Sequence, residues 1–151
     1  KESIAEQVAE DLSMNGFTLE RLLNFWDKYS KCKDLRRRIG CLTTTNDVVK
    51  RIVIPESAGK GCYMTVMPGG RHKAETLVSH WWGAKFYDDI LCIANHATGH
   101  SGEELVRFVN GDRTEAPSSA LKKTYWMCIF AVDEHISICG DCFTCRRPGV
   151  Q

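Results

Sequence analysis

Apolar positions at the start of the chain recur with helical spacing. Ile4, Val8 and Leu12, with Ala5 and Ala9 beside them, form one stripe that Asn15-Gly16 interrupts. Thr18 is placed to cap a second helix that carries Leu19, Leu22, Leu23, Trp26 and Tyr29 on one side. "TTTNDVVKRIVIPES" predicts a short helix capped by Thr45 or Asn46 and ended by Pro55. Its "RIVI" fits a strand equally well, and the pattern does not arbitrate. "CYMTVM" between two glycine-rich turns reads as a short strand. "ETLVSHWW" and "TYWMCIFAVDEH" are continuous apolar runs that stop abruptly in polar residues, as strands buried on both faces do. Between them lie "AKFYDDILCIANHA", with Phe86, Ile90 and Ile93 at helical spacing, and "GEELVRFVNG", with acids first and glycine last. Strand, helix, helix, strand is a crossover unit, expected parallel and right-handed. The expected fold is therefore α/β with a helical N-terminal layer. Val78 and alternating members of Tyr125–Val132 should lie in neighbouring parallel strands, with Phe86, Ile90 and Ile93 against one face.

That topology brings chemistry together. Parallel neighbours end at one edge of the sheet, where ligands of open α/β sheets bind. Ser79, His80, Trp81 and Trp82 would then meet Asp133, Glu134 and His135. A histidine beside a carboxylate can move protons near neutral pH, and an indole can stack on a planar ligand. His80 is the expected proton carrier and Glu134 or Asp133 its acid partner. Ser79, Trp81, Trp82 and Asp133 form the expected ligand contacts. The plainer alternative is that both tryptophans serve as core and rim, and that the acids form a solvated strand exit.

Composition narrows the classes. The 151 residues are 43% hydrophobic and 26% charged, the balance of a globular domain. A formal net charge of +1 supplies no global field for nucleic acid or an acidic membrane. The longest apolar runs are far shorter than the roughly 20 residues of a membrane-spanning helix. No signal-peptide pattern opens the chain, and its first residue is Lys1, so a fragment or processed form is expected. Eight cysteines allow either disulfides or free thiols. Cys92 and Cys128 sit in apolar segments and read as small buried hydrophobes, which points to a reduced, soluble, intracellular protein.

As a set, "TTNDVV…IVIP", "LVSHWWG" and "TYWMCIFAVDEH" resemble an uncharacterised family of dinoflagellates and other protists, marked by serine-histidine-x-tryptophan-glycine and tyrosine-tryptophan-x-cysteine motifs. That family is in turn similar to the TIR-like, flavodoxin-like fold used in signalling assemblies and, in some members, to cleave NAD. The resemblance spans roughly residues 43–140. It implies a parallel sheet, a signalling or assembly role and protein partners. Asp133-Glu134 stands where the family usually has an amide pair. No segment corresponding to the glutamate helix of TIR-like NAD hydrolases follows the second run. The resemblance thus implies a partial domain, completed by a partner or by the "CYMTVM" strand. The organisation expected is a helical segment at 1–42, an α/β core at 43–138 and a cysteine-rich tail at 139–151.

In the tail, His135, Cys139, Cys142 and Cys145 are spaced H-x3-C-x2-C-x2-C. Thiolates and imidazole suit zinc, with an iron–sulfur cluster, disulfides or unused thiols as alternatives. His96 and His100 stand four apart, but Thr98-Gly99 should end their helix, leaving a surface loop. The basic run Arg36–Arg38 lacks any accompanying nucleic-acid motif and reads as a solvated face. "SAGKG" around Lys60 lacks the flanking residues of a phosphate loop. Three functions remain. The first is a TIR-like signalling or assembly module with a crevice for a small polar ligand such as a nucleotide. The second is a nucleotide-type hydrolase using His80 and Glu134. The third is a structural subunit of a larger complex with a Cys/His metal site.

Overall fold

A computed structural model describes residues 3–137. Helix α1 (Ile4–Ser13) opens with a capping box: the Ser3 hydroxyl accepts from the Glu6 N–H, and the Glu6 carboxylate accepts from the Ser3 N–H. Strand β1 (Phe17–Thr18) follows, and Thr18 caps α2 (Leu19–Ser30) as its sequence position predicts. Leu19, Leu22, Leu23, Phe25, Trp26 and Tyr29 bury one side of α2 in the core.

The segment "TNDVVKRIVIPES" is one continuous helical stretch. An α-turn, α3 (Thr45–Val48), passes into π-helix over Val49–Val53 and then into α4 (Ile54–Ser57). Two expectations are corrected here. The cap is Thr44, whose hydroxyl accepts from Asp47 N–H, and not Thr45 or Asn46. Nor does Pro55 end the helix. The Ile54 N–H reaches back five residues to the Val49 carbonyl, so a widened π turn precedes the proline and the helical stretch runs on through Pro55 to Ser57.

"CYMTVM" is a 3-10 turn (Tyr63–Thr65), not a strand. The N–H groups of Thr65, Val66 and Met67 bond to the carbonyls of Cys62 and Tyr63, and the Thr65 hydroxyl donates to Cys62. With its hydrogen bonds closed locally, the segment has none to offer a sheet.

Strand β2 (Thr76–Leu77) leads to α5 (Phe86–Thr98), α6 (Gly102–Val109), the short α7 (Ser118–Leu121) and β3 (Thr124–Trp126). Gly99 in the left-handed conformation ends α5, as the sequence predicts. The sheet order is β1-β3-β2. β2 and β3 run parallel, with Thr76 opposite Tyr125 and Leu77 opposite Trp126. β1 lies antiparallel on the other side of β3. The fold is α/β with a small mixed sheet. Phe86, Ile90 and Ile93 are buried on α5 as expected, whereas Val78 lies just past β2 and is half-buried.

Tyr125–Val132 is not one strand. After Trp126 the chain turns into α8 (Cys128–Ala131), followed by α9 (Glu134–Ser137). The partner strand explains the change. Val78 N–H closes the ladder on the Trp126 carbonyl, and the neighbouring chain then departs toward α5. Beyond that point Phe130, Ala131 and Val132 pair their N–H groups locally, with the Met127 and Cys128 carbonyls. The apolar run remains buried in either conformation, so burial alone did not distinguish them.

The core joins the two ends of the described chain. The Phe130 ring lies 5.4 Å from Phe17, 5.3 Å from Phe25 and 5.5 Å from Tyr63, centroid to centroid. Edge-on contacts to Phe17 and Phe25 are the favoured aromatic geometry.

Candidate functional site

The parallel register fixes the site. Leu77 opposes Trp126, so residues shortly after each leave the sheet at the same edge. His80 lies three residues past Leu77 and Cys128 two past Trp126, and they meet there. His80 Nε2 is 3.5 Å from Cys128 Sγ. His80 Nδ1 is 3.4 Å from the Val78 carbonyl oxygen. A carbonyl only accepts, so this contact favours the proton on Nδ1 and turns the Nε2 lone pair toward the thiol.

The loop carrying His80 is held from outside the sheet. Asn46 N–H donates to Trp82 O at 2.8 Å, Thr45 N–H to Ala84 O at 2.9 Å, and Phe86 N–H to Thr43 O at 3.0 Å. The N-terminus of α3 thus anchors residues 82–86 as a rigid support. Trp82 is half-buried against the core, close enough to Cys128 for its side chain to lower the thiol pKa. Trp81 is 74% exposed and packs its ring over Gly83, where any side chain would collide with it. Ser79 is exposed.

Burial pushes the Cys128 thiol pKa up, and the nearby Glu134 carboxylate adds to that. The Trp82 indole and the N–H groups of Ile129 and Cys128 itself act the other way, since each favours the thiolate. Asp89 on α5 is half-buried and accepts from the Thr45 hydroxyl at 3.1 Å. Burial raises its pKa, while the Thr45 bond and the attraction of His80 lower it.

Glu134 is 3% exposed, and its Oε1 has no hydrogen-bond partner among the described residues. Burial, with repulsion from Asp133, pushes its pKa up to about 7. It therefore changes charge near neutral pH, close enough for that charge to act on Cys128. No hydrogen bond joins it to His80 among the described residues; Cys128 is the group both influence. Asp133 is half-buried and accepts from the His135 N–H at 3.0 Å. His135 does not face His80: its Nε2 lies 2.7 Å from the Ile54 carbonyl of α4. Its proposed co-ligands Cys139, Cys142 and Cys145 lie outside the described residues. Within those described, no group of three or more His, Cys, Asp or Glu is placed to hold a metal.

The two cysteines read as buried hydrophobes need correction. Cys92 is exposed, on the α5 side opposite Ile90, Ile93 and Ala94. Cys128 is half-buried and faces the imidazole. Sequence reasoning gave Cys128, Asp89 and Thr45 no place beside His80. The strand-end rule that selected His80 applies equally to Cys128, which follows the strand within "TYWMC". His96 and His100 have separate partners: His96 Nδ1 meets the Tyr125 hydroxyl at 2.9 Å, and His100 pairs with Glu104 at 3.0 Å.

No protein-family model, curated protein or solved structure matches this chain. No helix among the described residues is long and apolar enough to cross a membrane.

Proposed function

We propose that the chain is a thiol-dependent hydrolase or transferase, with Cys128 as nucleophile and His80 as its base. The observation that carries this reading is the 3.5 Å approach of His80 Nε2 to Cys128 Sγ, with Nδ1 held by the Val78 carbonyl. In the first step the thiol proton passes to Nε2 and sulfur attacks an electrophilic carbon of the substrate. The leaving group departs with the proton from the imidazolium, and water or an acceptor then releases the group held on sulfur. The Trp82 side chain favours the thiolate, and Asp89 lies within electrostatic reach of His80. This keeps His80 as proton carrier but gives Glu134 the role of tuning the sulfur.

The test is a panel of ester, thioester, amide and nucleotide substrates, read by chromatography, alongside alkylation of Cys128 by iodoacetamide followed by mass spectrometry. Turnover should vanish in Cys128→Ser, and His80→Gln should slow Cys128 alkylation at pH 7 by about tenfold or more. Unchanged alkylation in His80→Gln, with no turnover of any substrate class, would exclude the reading.

A second reading rests on the exposed Trp81 ring and the parallel β2–β3 pair. Here the chain is a TIR-like signalling or assembly module, and Trp81 stacks on a planar ligand such as a nucleotide at the strand ends. Binding lost in Trp81→Ala but kept in Cys128→Ser, without turnover, would favour it.

A further inference from the structure

Two exposed surfaces, far apart in sequence, are complementary in charge and both apolar. The first is formed by α1 and the edge strand β2. No residue of α1 is buried, and Ile4, Val8 and Leu12 stand 84%, 51% and 38% exposed along one stripe. Beside the helix, Leu12, Ala74, Leu77 and Trp126 line a groove of about 460 Å³. Glu75 lines the groove and Asp11 stands on α1 beside the Leu12 stripe, both without an ion pair among the described residues, while Glu10 of α1 is paired with Lys73 at 3.0 Å.

The second surface is the loop after α2. Lys31, Lys33, Arg36, Arg37 and Arg38 crowd around one carboxylate, Asp34. Arg37 is paired with Glu56 and Arg36 with Asp34, leaving Lys31, Lys33 and Arg38 without an ion pair among the described residues. Leu35 and Leu42 stand 70% and 78% exposed on the same loop. The loop is held in place: the Arg51 guanidinium donates to the carbonyls of Leu35, Arg36 and Arg38, and the Ile39 N–H donates to Tyr29 O. A buttressed loop that presents leucines among cations loses little conformational freedom on binding.

We propose that these two surfaces bind each other between copies of this chain, head to tail. Leu35 or Leu42 of one copy fills the groove at Leu12, Leu77 and Trp126 of the next, while Lys31 and Lys33 approach Asp11 and Glu75. Charge complementarity selects this occupant, since an anionic lipid surface would satisfy the basic loop and leave the acidic groove uncovered. The two patches differ, so the contact is heterologous and propagates into a ring or an open filament.

The test is sedimentation of the full chain under reducing conditions, across a concentration series and at low and high salt. Mass should rise with concentration, and association should weaken about tenfold or more as salt screens the charges. Two variants are decisive. Asp11→Lys/Glu75→Lys destroys the groove and keeps the loop; Leu35→Ser/Leu42→Ser destroys the loop's apolar contact and keeps the groove. Each should be monomeric alone, and an equimolar mixture should form a dimer that grows no further, because only one intact interface remains. Leu35→Ser/Leu42→Ser should abolish growth without lowering the melting temperature, since neither side chain is buried. A chain that stays monomeric throughout, a loop variant that still dimerises alone, or a mixture that stays monomeric would each overturn the proposal. So would association that occurs only on anionic vesicles.

Discussion

At the scale of single residues, Cys128 and Glu134 form a pair in which one charge governs the other. Glu134 is held near pKa 7 by burial and by Asp133, and its carboxylate raises the Cys128 thiol. Glu134→Gln removes that repulsion, so more Cys128 is thiolate at a given pH. Alkylation of Cys128 at pH 8 should therefore speed up by about three- to tenfold. Below about pH 6, where wild-type Glu134 is protonated, the two profiles should converge. Stability follows the same proton. The folded pKa lies above the ordinary value of 4.5, so the protonated carboxyl's contribution is complete below that value and lost as pH rises through about 7. Glu134→Gln should be more stable than wild type above pH 7, by about 1–3 kcal/mol in chemical denaturation, with the gain shrinking toward pH 5. A variant equally or less stable at pH 8 would show that Oε1 has a partner after all. Glu134 was legible in the sequence as a strand-exit acid; its burial was not, because that depends on α9 folding back from the end of α8.

Among the elements, polar ties matter as much as apolar packing, because the strands are only two or three residues long. Asn15, which reads in sequence as the stop of α1, is 7% exposed, and its side-chain amide donates to the Ala131 carbonyl at 2.9 Å. That bond fastens the end of the first helix to the end of α8, across most of the sequence. Asn15→Ala should cost about 1–3 kcal/mol, read as a lower denaturation midpoint with unchanged slope, because a buried acceptor loses its donor. A loss below about 0.5 kcal/mol would mean that water replaces the amide. Gly16 beside it is required by close approach: a Cβ there would lie 2.7 Å from the His72 carbonyl oxygen. The helices α2, α5 and α6 were legible because each carries a cap, a periodic apolar face or a glycine stop within its own residues. The turn at Cys128 and the 3-10 segment at Tyr63 were not, since their conformation depends on where a neighbouring strand ends. β1 was missed for a related reason: Phe17–Thr18 is too short to show alternation, and only its pairing with β3 makes it a strand.

For the whole molecule, Phe130 links stability to the candidate site. Its ring is fully buried against Phe17, Phe25, Tyr63 and Phe86, so it joins β1, α2, the 3-10 turn and α5 in one core. It also lies two residues after Cys128 in the same helical turn, so the packing that fixes the ring also orients the thiol. The sequence placed Phe130 within the apolar run Tyr125–Val132 and assigned that run to a strand, whose alternation would separate its side from that of its immediate neighbours. In the turn observed, Ile129, Phe130 and Ala131 are all buried while Cys128 is left half-exposed toward His80. Phe130→Ala should cost about 3–5 kcal/mol and lower Tm by about 10 °C. If the ring also orients Cys128, the cavity should change the rate of Cys128 alkylation under conditions where the variant is still folded. Cys92 is exposed on the outer side of α5 and serves as the internal control. Its alkylation should match wild type in the same sample, whereas a parallel change at both cysteines would report partial unfolding. A Tm loss with Cys128 reactivity unaltered would mean that the hydrogen bonds of residues 82–86 hold the site without help from the aromatic core.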